Sequence, residues 1–288
     1  MAKATWNRVT PDERCPVCKR GTWCVTSEDG NAVICGRTES GKRCGDAGWL
    51  HHIGTGKKWS GVASWRVSAA DPPADLTAFA ERCSASSEAA ARLPGFARSL
   101  GLTVESLTAM RVGWHAEKLA WTFPMVAPAT GHVVGIRLRK PDGFKFAVAG
   151  GKEGLFLPAV PHAGGDPLLV TEGPTDTAAL VDMGFTNVVG RPSCTGGIKH
   201  VLALVRRRGA KEVVVVSDAD EPGRRGAGNL ASVLRVYAPA VRVVEPPDGV
   251  KDVRAWRNAG ATRADLEHII EAAPVARLAV TSRRISRG

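Results

Sequence analysis

The segment KEVVVVSDAD, residues 211–220, constrains the fold more than any other: four consecutive valines run into Ser217, Asp218, Ala219 and Asp220. A strand that is apolar on both sides of its pleat must be covered on both faces, as the central strand of a parallel sheet is. The neighbouring sequence has a matching rhythm. PLLVTEG reads as a strand and a turn, TDTAALVDMGF as a helix ending at Gly184, and NVVG as a strand. IKHVLALVRRRG reads as a helix ending at Gly209, PGRRGAGNLASVLRVY as a further helix, and VRVVEPP as a strand. Strands alternating with helices predict βα units and a parallel sheet over residues 166–273.

Carboxylates cluster where such strands end. Glu172 closes PLLVTE, and Asp218 and Asp220 follow the valine run. Residues two apart on extended chain point the same way, so both aspartates can face the crevice beyond the strand ends, where open parallel sheets bind ligands. Converging carboxylates repel one another, and a hard divalent cation resolves that repulsion. This pattern predicts a site for hard divalent cations such as Mg²⁺, one or two of them, suited to phosphate chemistry. Asp252 is a candidate further ligand and Lys251 a candidate triphosphate contact, although an exposed helix start also favours an aspartate there. Asp176 is a candidate extension of the site, although its place in the first turn of a helix also suits a simple cap. Asp220 likewise has a capping alternative before Pro222.

Five of the seven cysteines fall in the first 44 residues, at positions 15, 18, 24, 35 and 44. Cys15-Pro-Val-Cys18 places two thiolates on one tight turn, and Cys35 and Cys44 can supply a second pair, which predicts a structural zinc site on those four residues. WCVTSEDGNAVIC between the pairs reads as a hairpin about the turn EDGN. Cys24 reads as a small buried residue of that hairpin, with exchange for Cys44 as the rival ligand set. Lys19, Arg20, Arg37, Lys42 and Arg43 suit a nucleic-acid contact surface on this module.

The formal net charge of +11 points to a polyanionic partner. No apolar run reaches the roughly 18 to 20 residues of a membrane helix, and the N-terminus lacks a signal-peptide core, so a cytoplasmic protein with no membrane partner is expected. Residues 54–75, rich in Gly, Ser, Ala and Pro, read as a linker. Between the linker and the parallel sheet, LTAFAERC, SSEAAARL and VESLTAM read as helices, with a turn at Pro94-Gly95. AWTFPMVAP, HVVGIRLRK and FKFAVAG read as strands, with turns at TGH and PDG.

These segments resemble a known family in order. TEGPTDTAALVDMGF resembles the first Toprim motif, and VSDADEPGRRGA its Asp-x-Asp motif. SCTGG, residues 193–197, resembles the glycine-containing segment between them. KDVRAW resembles the Lys-Asp motif of phage primase-helicases, with Ala255 where that motif usually has Glu. CPVC through CGDAGW resembles the zinc ribbon of DnaG-type primases, and GHVVGIRLRKPDGFKFAVAGGKEGLF the N-terminal subdomain of their polymerase region. The resemblance spans most of residues 12–260.

It implies an α/β fold: a Toprim-type parallel sheet flanked by helices, an α+β N-terminal subdomain and a small N-terminal zinc ribbon. The corresponding domains are a zinc ribbon at 10–53, a linker at 54–75, the subdomain at 76–160, a Toprim catalytic domain at 161–273 and a basic tail at 274–288. The implied activity is that of a DNA primase making short RNA primers on a single-stranded DNA template from ribonucleoside triphosphates, beside a separate replicative helicase or initiator. Glu172, Asp218 and Asp220 would be catalytic and would hold Mg²⁺ or Mn²⁺. Arg139, Lys145 and, by a looser match, Lys152 would line a nucleotide and template groove. A Toprim-family nuclease and a catalytically silent DNA-binding module of a mobile element are the alternatives. A topoisomerase would need a tyrosine nucleophile, and the sole tyrosine, Tyr237, falls on a helix beside the sheet.

Overall fold

A computed structural model describes residues 6–42, 44, 47–53, 75–161 and 166–276. The chain divides into two compact units, Met1–Ala69 and Ala70–Gly288. The expected linker, apart from Asp75, and residues 277–288 of the expected tail lie outside the described residues.

The first unit is an antiparallel sheet in the order β1 (Trp6–Arg8), β2 (Val25–Ser27), β3 (Ala32–Cys35), β4 (Trp49–His52). The EDGN turn joins β2 to β3 as expected, with the Asn31 N–H donating to Asp29 Oδ1 at 3.1 Å. The outer strands β1 and β4 have no clear signature in the sequence, being short and mostly polar or aromatic.

The second unit begins with α1 (Leu76–Ala85), α2 (Ser87–Leu100) and α3 (Val104–Ala109). The expected turn at Pro94-Gly95 is corrected: α2 runs straight through both residues. Proline inside a helix removes one hydrogen bond and costs about 3 kcal/mol. Here Ala89, Leu93, Phe96, Ala97 and Leu100, spaced at helical intervals, are buried in one cluster and offset that loss. An antiparallel meander follows, β5 (Gly113–His115), β6 (Ala120–Val126), β7 (Val133–Arg139) and β8 (Lys145–Ala147). Alternate residues of β6 explain its two covered faces: Trp121, Phe123 and Met125 pack with α2 and α3, whereas Ala120 and Val126 pack with α1.

The remaining strands form one parallel sheet in the order β10 (Val188–Arg191), β9 (Leu168–Glu172), β11 (Glu212–Val216), β12 (Ala240–Val244). Val213 and Val215 face α5 (Ile198–Arg208) and α6 (Glu221–Leu234). Val214 and Val216 face α4 (Gly173–Asp182), α7 (Val253–Asn258) and α8 (Arg263–Ala272). The valine run is therefore buried on both faces, as its composition requires. The two sheets of this unit are stitched by one short segment. Leu155 pairs with Val126 of β6, and the next residue, Phe156, pairs with Gly190 of β10. No helix among the described residues is long and apolar enough to cross a membrane.

Candidate functional site

In the parallel sheet the chain moves outward from β9 to β10 on one side and from β11 to β12 on the other. The gap between β9 and β11 is thus a topological switch point, and ligands of open α/β sheets bind beyond the strand ends there. Glu172 ends β9, and Asp218 lies two residues past the end of β11. The turn after Glu172 is set by Gly173, whose φ of 75° disfavours any side chain. Thr177 fixes α4 against this turn by donating to the Gly173 carbonyl at 2.8 Å and sharing a hydrogen bond with Thr171. Gly190 lets β10 approach closely, because a Cβ there would lie 2.3 Å from Thr177 Oγ1.

The loops after β11 and β12 are also tied together. Ala219 donates its N–H to the Lys251 carbonyl at 2.7 Å, and Ser217 donates to Val244 at 2.8 Å. Asp218 and Asp220 are thereby placed beside Lys251 and Asp252. Asp220 caps α6 by accepting from Gly223 N at 2.9 Å, and Asp252 caps α7 by accepting from Ala255 N at 2.7 Å. Asp176 does not cap its own helix; its Oδ1 accepts from Arg254 N at 3.3 Å.

The electrostatics show five carboxylates in one field. Burial pushes Glu172 up to about 7, with Asp218 adding to the shift and Arg191 opposing it. Burial, then Asp252 and Asp218, pushes Asp176 up to about 8 against the pull of Arg254. Burial, Asp252 and Asp220 push Asp218 up to about 6 against Lys251 and Lys145. Hard oxygen donors, mutual repulsion and a buried Glu172 Oε1 with no hydrogen-bond partner fit a divalent cation such as Mg²⁺. Among the described residues, no three carboxylate donors lie within 4.8 Å of one another. An ion would therefore take one or two carboxylates directly and complete its shell with water or phosphate.

These shifts predict a pH dependence. Carboxyls whose folded pKa lies above the unfolded value contribute stability below about pH 4 that is lost as pH rises through the folded pKa. The magnesium-free chain should melt at steadily lower temperature from about pH 4 to 8, through the values of Asp218, Glu172 and Asp176. Millimolar Mg²⁺ should flatten that slope. Thermal melts across this range, with and without added Mg²⁺, check it, and an unchanged slope would count against cation binding.

Basic side chains face the carboxylates from the meander. Arg139 of β7 and Lys145 of β8 are register partners, so they share a face of the sheet. Desolvation lowers the pKa of both; Arg254 adds to each shift, and Asp176 opposes it. Lys152 is exposed beyond β8, its N–H donated to Val134 at 2.7 Å. Two further basic residues of the site escape a reading of the sequence. Arg191 ends β10 in register with Glu172, is 1% exposed, and places Nη2 3.8 Å from Glu172 Oε1. Arg254 lies two residues after Asp252. A charged residue closing an otherwise buried strand is the available signal for Arg191.

In the first unit, Cys15, Cys18, Cys24 and Cys35 bring their Sγ atoms within 4.8 Å of one another. Cys18 and Cys24 lie 3.6 Å apart, and Cys24 and Cys35 3.8 Å. Thiolates around tetrahedral zinc, with Zn–S near 2.3 Å, are spaced by about 3.8 Å. The expected ligand set is corrected at one position: Cys24 takes the place of Cys44, which packs with Ala32, Ile34 and Leu50 in a separate cluster. The reason is hairpin register. Val25 pairs with Ile34, so Cys24 and Cys35 stand opposite each other at the next position. Counting outward from the EDGN turn reaches the same pair. Arg37 Nη1 lies 3.9 Å from the sulfurs of both Cys18 and Cys24, where it offsets thiolate charge.

Residues 169–255 match the family model described as Toprim-like. Solved structures with a similar fold include the E. coli primase catalytic core, at a TM-score of 0.55 and 18% identity over 69% of this chain and 78% of that one. A DnaG primase catalytic domain bound to single-stranded DNA gives 0.55 and 18% over 69% and 77%. A primase domain from Pseudomonas aeruginosa gives 0.53 and 18% over 69% and 77%. No curated protein sequence matches the chain. The chain thus contains a Toprim-like domain at residues 169–255 and shares the fold of DnaG-type primase catalytic cores.

Proposed function

We propose that this chain is a DNA primase that joins ribonucleoside triphosphates into short RNA primers on single-stranded DNA. The observation behind this reading is the gathering of Glu172, Asp218 and Asp220 at the sheet's switch point, with Lys145 acting on Asp218 and its register partner Arg139 on the neighbouring Asp176. Carboxylates for a cation and fixed positive charge for phosphates, side by side, suit phosphoryl transfer, which asks mainly for positioning and charge stabilisation. Asp218 and Asp220, with Glu172 beside them, would hold Mg²⁺ or Mn²⁺, which when bound polarises the phosphoryl group and acidifies the attacking hydroxyl. Glu172 Oε1, buried and without a hydrogen-bond partner, would receive the proton of that hydroxyl. Lys251 and Lys145 act on Asp218 and would hold the triphosphate.

In this reading the cysteine quartet holds a structural Zn²⁺, since four thiolates leave no open coordination position. The zinc unit would help grip the template, and the chain would work in the cytoplasm with a replicative helicase or initiator. Incubation with single-stranded DNA, labelled ribonucleotides and Mg²⁺ or Mn²⁺ tests the reading, with short oligoribonucleotides as the expected product. Cleavage of the DNA instead would favour a Toprim-family nuclease. Removing the basic pair, as Arg139→Ala with Lys145→Ala, is expected to raise the KM for nucleotide by about tenfold or more. It should also make template binding less sensitive to salt. Unchanged KM and salt slope in this double variant would remove these residues from the groove.

A further inference from the structure

We infer that Arg37 is the positioning cation of the cysteine quartet, tightening its hold on zinc, and is not one of the residues through which the first unit meets nucleic acid. This rests on the structural zinc of the proposed function and takes one residue out of the basic surface expected from the sequence. Arg37 stands two positions after Cys35, which ends β3. From there its side chain crosses to the other cysteine turn. Nη1 donates to the Thr22 carbonyl at 2.6 Å and lies 3.9 Å from the sulfurs of both Cys18 and Cys24. Nη2 donates to Thr22 Oγ1 at 2.9 Å.

Four thiolates around Zn²⁺ leave a net charge of two minus, which donors to sulfur must offset. Backbone amides serve Cys15 and Cys35, from Cys18 N at 3.5 Å and Thr38 N at 3.3 Å. Arg37 gives Cys18 and Cys24 a full positive charge. It also ties the chain after Cys35 to the chain before Cys24, and so joins two parts of the ligand set. Partners that orient metal ligands in this way are worth about 10- to 100-fold in affinity. The same contacts withdraw Arg37 from phosphates. A guanidinium has five N–H donors, two of them on each Nη. The pair on Nη1 is taken by the Thr22 carbonyl and the sulfurs, and one on Nη2 by Thr22 Oγ1, so the Nη edge that would grip a phosphate is engaged. The exposed Lys19, Arg20 and Lys42 make no side-chain hydrogen bond or ion pair among the described residues, and the phosphate contacts fall to them.

Competition with a chelator measures zinc affinity on the full chain, and titration with single-stranded DNA at several salt concentrations, with zinc saturating, counts phosphate contacts. Arg37→Ala is expected to weaken zinc binding by about tenfold or more and to leave the salt slope unchanged. Arg37→Lys, which keeps the charge but not the fork, should recover part of the affinity. In the Co²⁺-substituted chain, Arg37→Ala should move the sulfur-to-cobalt charge-transfer bands to longer wavelength, because losing the cation raises the energy of the sulfur electrons. Loss of packing alone would weaken binding without moving those bands. Unchanged zinc affinity, unmoved bands, or a salt slope shallower by about 0.7, the share of one phosphate on a single strand, would overturn the inference and leave the zinc site standing. An unaltered chain that binds no zinc would overturn the zinc site itself, and the inference with it.

Discussion

An Asp218→Asn chain is expected to make no primers while folding at least as well as the unaltered protein. Asp218 is the carboxylate common to both halves of the acidic site, since its charge acts on Glu172 and on Asp176. Exchanging it for an isosteric amide removes one negative ligand from a cation that contributes several kcal/mol of transition-state stabilisation, so primer yield should fall by at least about 10³-fold. Stability should move the other way. The hydrogen bond from Ser217 Oγ goes to the backbone carbonyl of Asp218, at 2.9 Å, and the amide leaves it intact. What the substitution removes is a buried charge held against Asp252 and Asp220. Without added Mg²⁺, at pH 8, the variant should therefore melt at a higher temperature than the unaltered chain. Loss of primers together with raised thermal stability separates a site residue from a structural one. Primer synthesis near the original level would refute the proposed function at its centre.

Part of that site is legible in the amino-acid sequence. The valine run, the alternating helices and the acids at strand ends are one-dimensional signals, because a strand buried on both faces and the residue that terminates it are adjacent in sequence. Glu172, Asp218 and Asp220 stand out in this way, and the parallel sheet with them. Long-range geometry is not accessible by the same route. Arg191 enters the site because β10 lies in register with β9, and the order of strands cannot be counted from periodicity. Arg254 matters because α7 packs against α4, which brings its amide to Asp176 across 78 positions of sequence. The helix through Pro94 departs from expectation for a different reason. Local propensity favours a turn, and five apolar residues on one face decide otherwise through contacts with other elements.

In the cysteine module the deciding information does lie in the sequence, as hairpin register rather than cysteine spacing, and it yields the second large effect. Cys24→Ser is expected to strip zinc from the chain and unfold the first unit, whereas Cys44→Ser should retain one zinc per chain. Few apolar residues hold this unit together; its two clusters centre on Val9, Val33 and the cysteines, and on Ala32, Ile34 and Leu50. A core of that size cannot fold alone, so metal binding, worth on the order of 10–16 kcal/mol for small zinc modules, supplies most of the folding free energy. Removing Cys24 takes away a sulfur within 3.8 Å of Cys18 and Cys35 and breaks the cross-strand pair at the base of the hairpin. A hydroxyl at position 44 instead disturbs apolar packing and costs about 1–3 kcal/mol, with the four thiolates untouched. Zinc analysis of the two purified variants, with limited proteolysis of the first unit, distinguishes them. Zinc kept without Cys24, or lost without Cys44, would restore the spacing-based ligand set. The reverse result would mean that hairpin register, counted from a four-residue turn, assigns ligands here better than the spacing of cysteine pairs does.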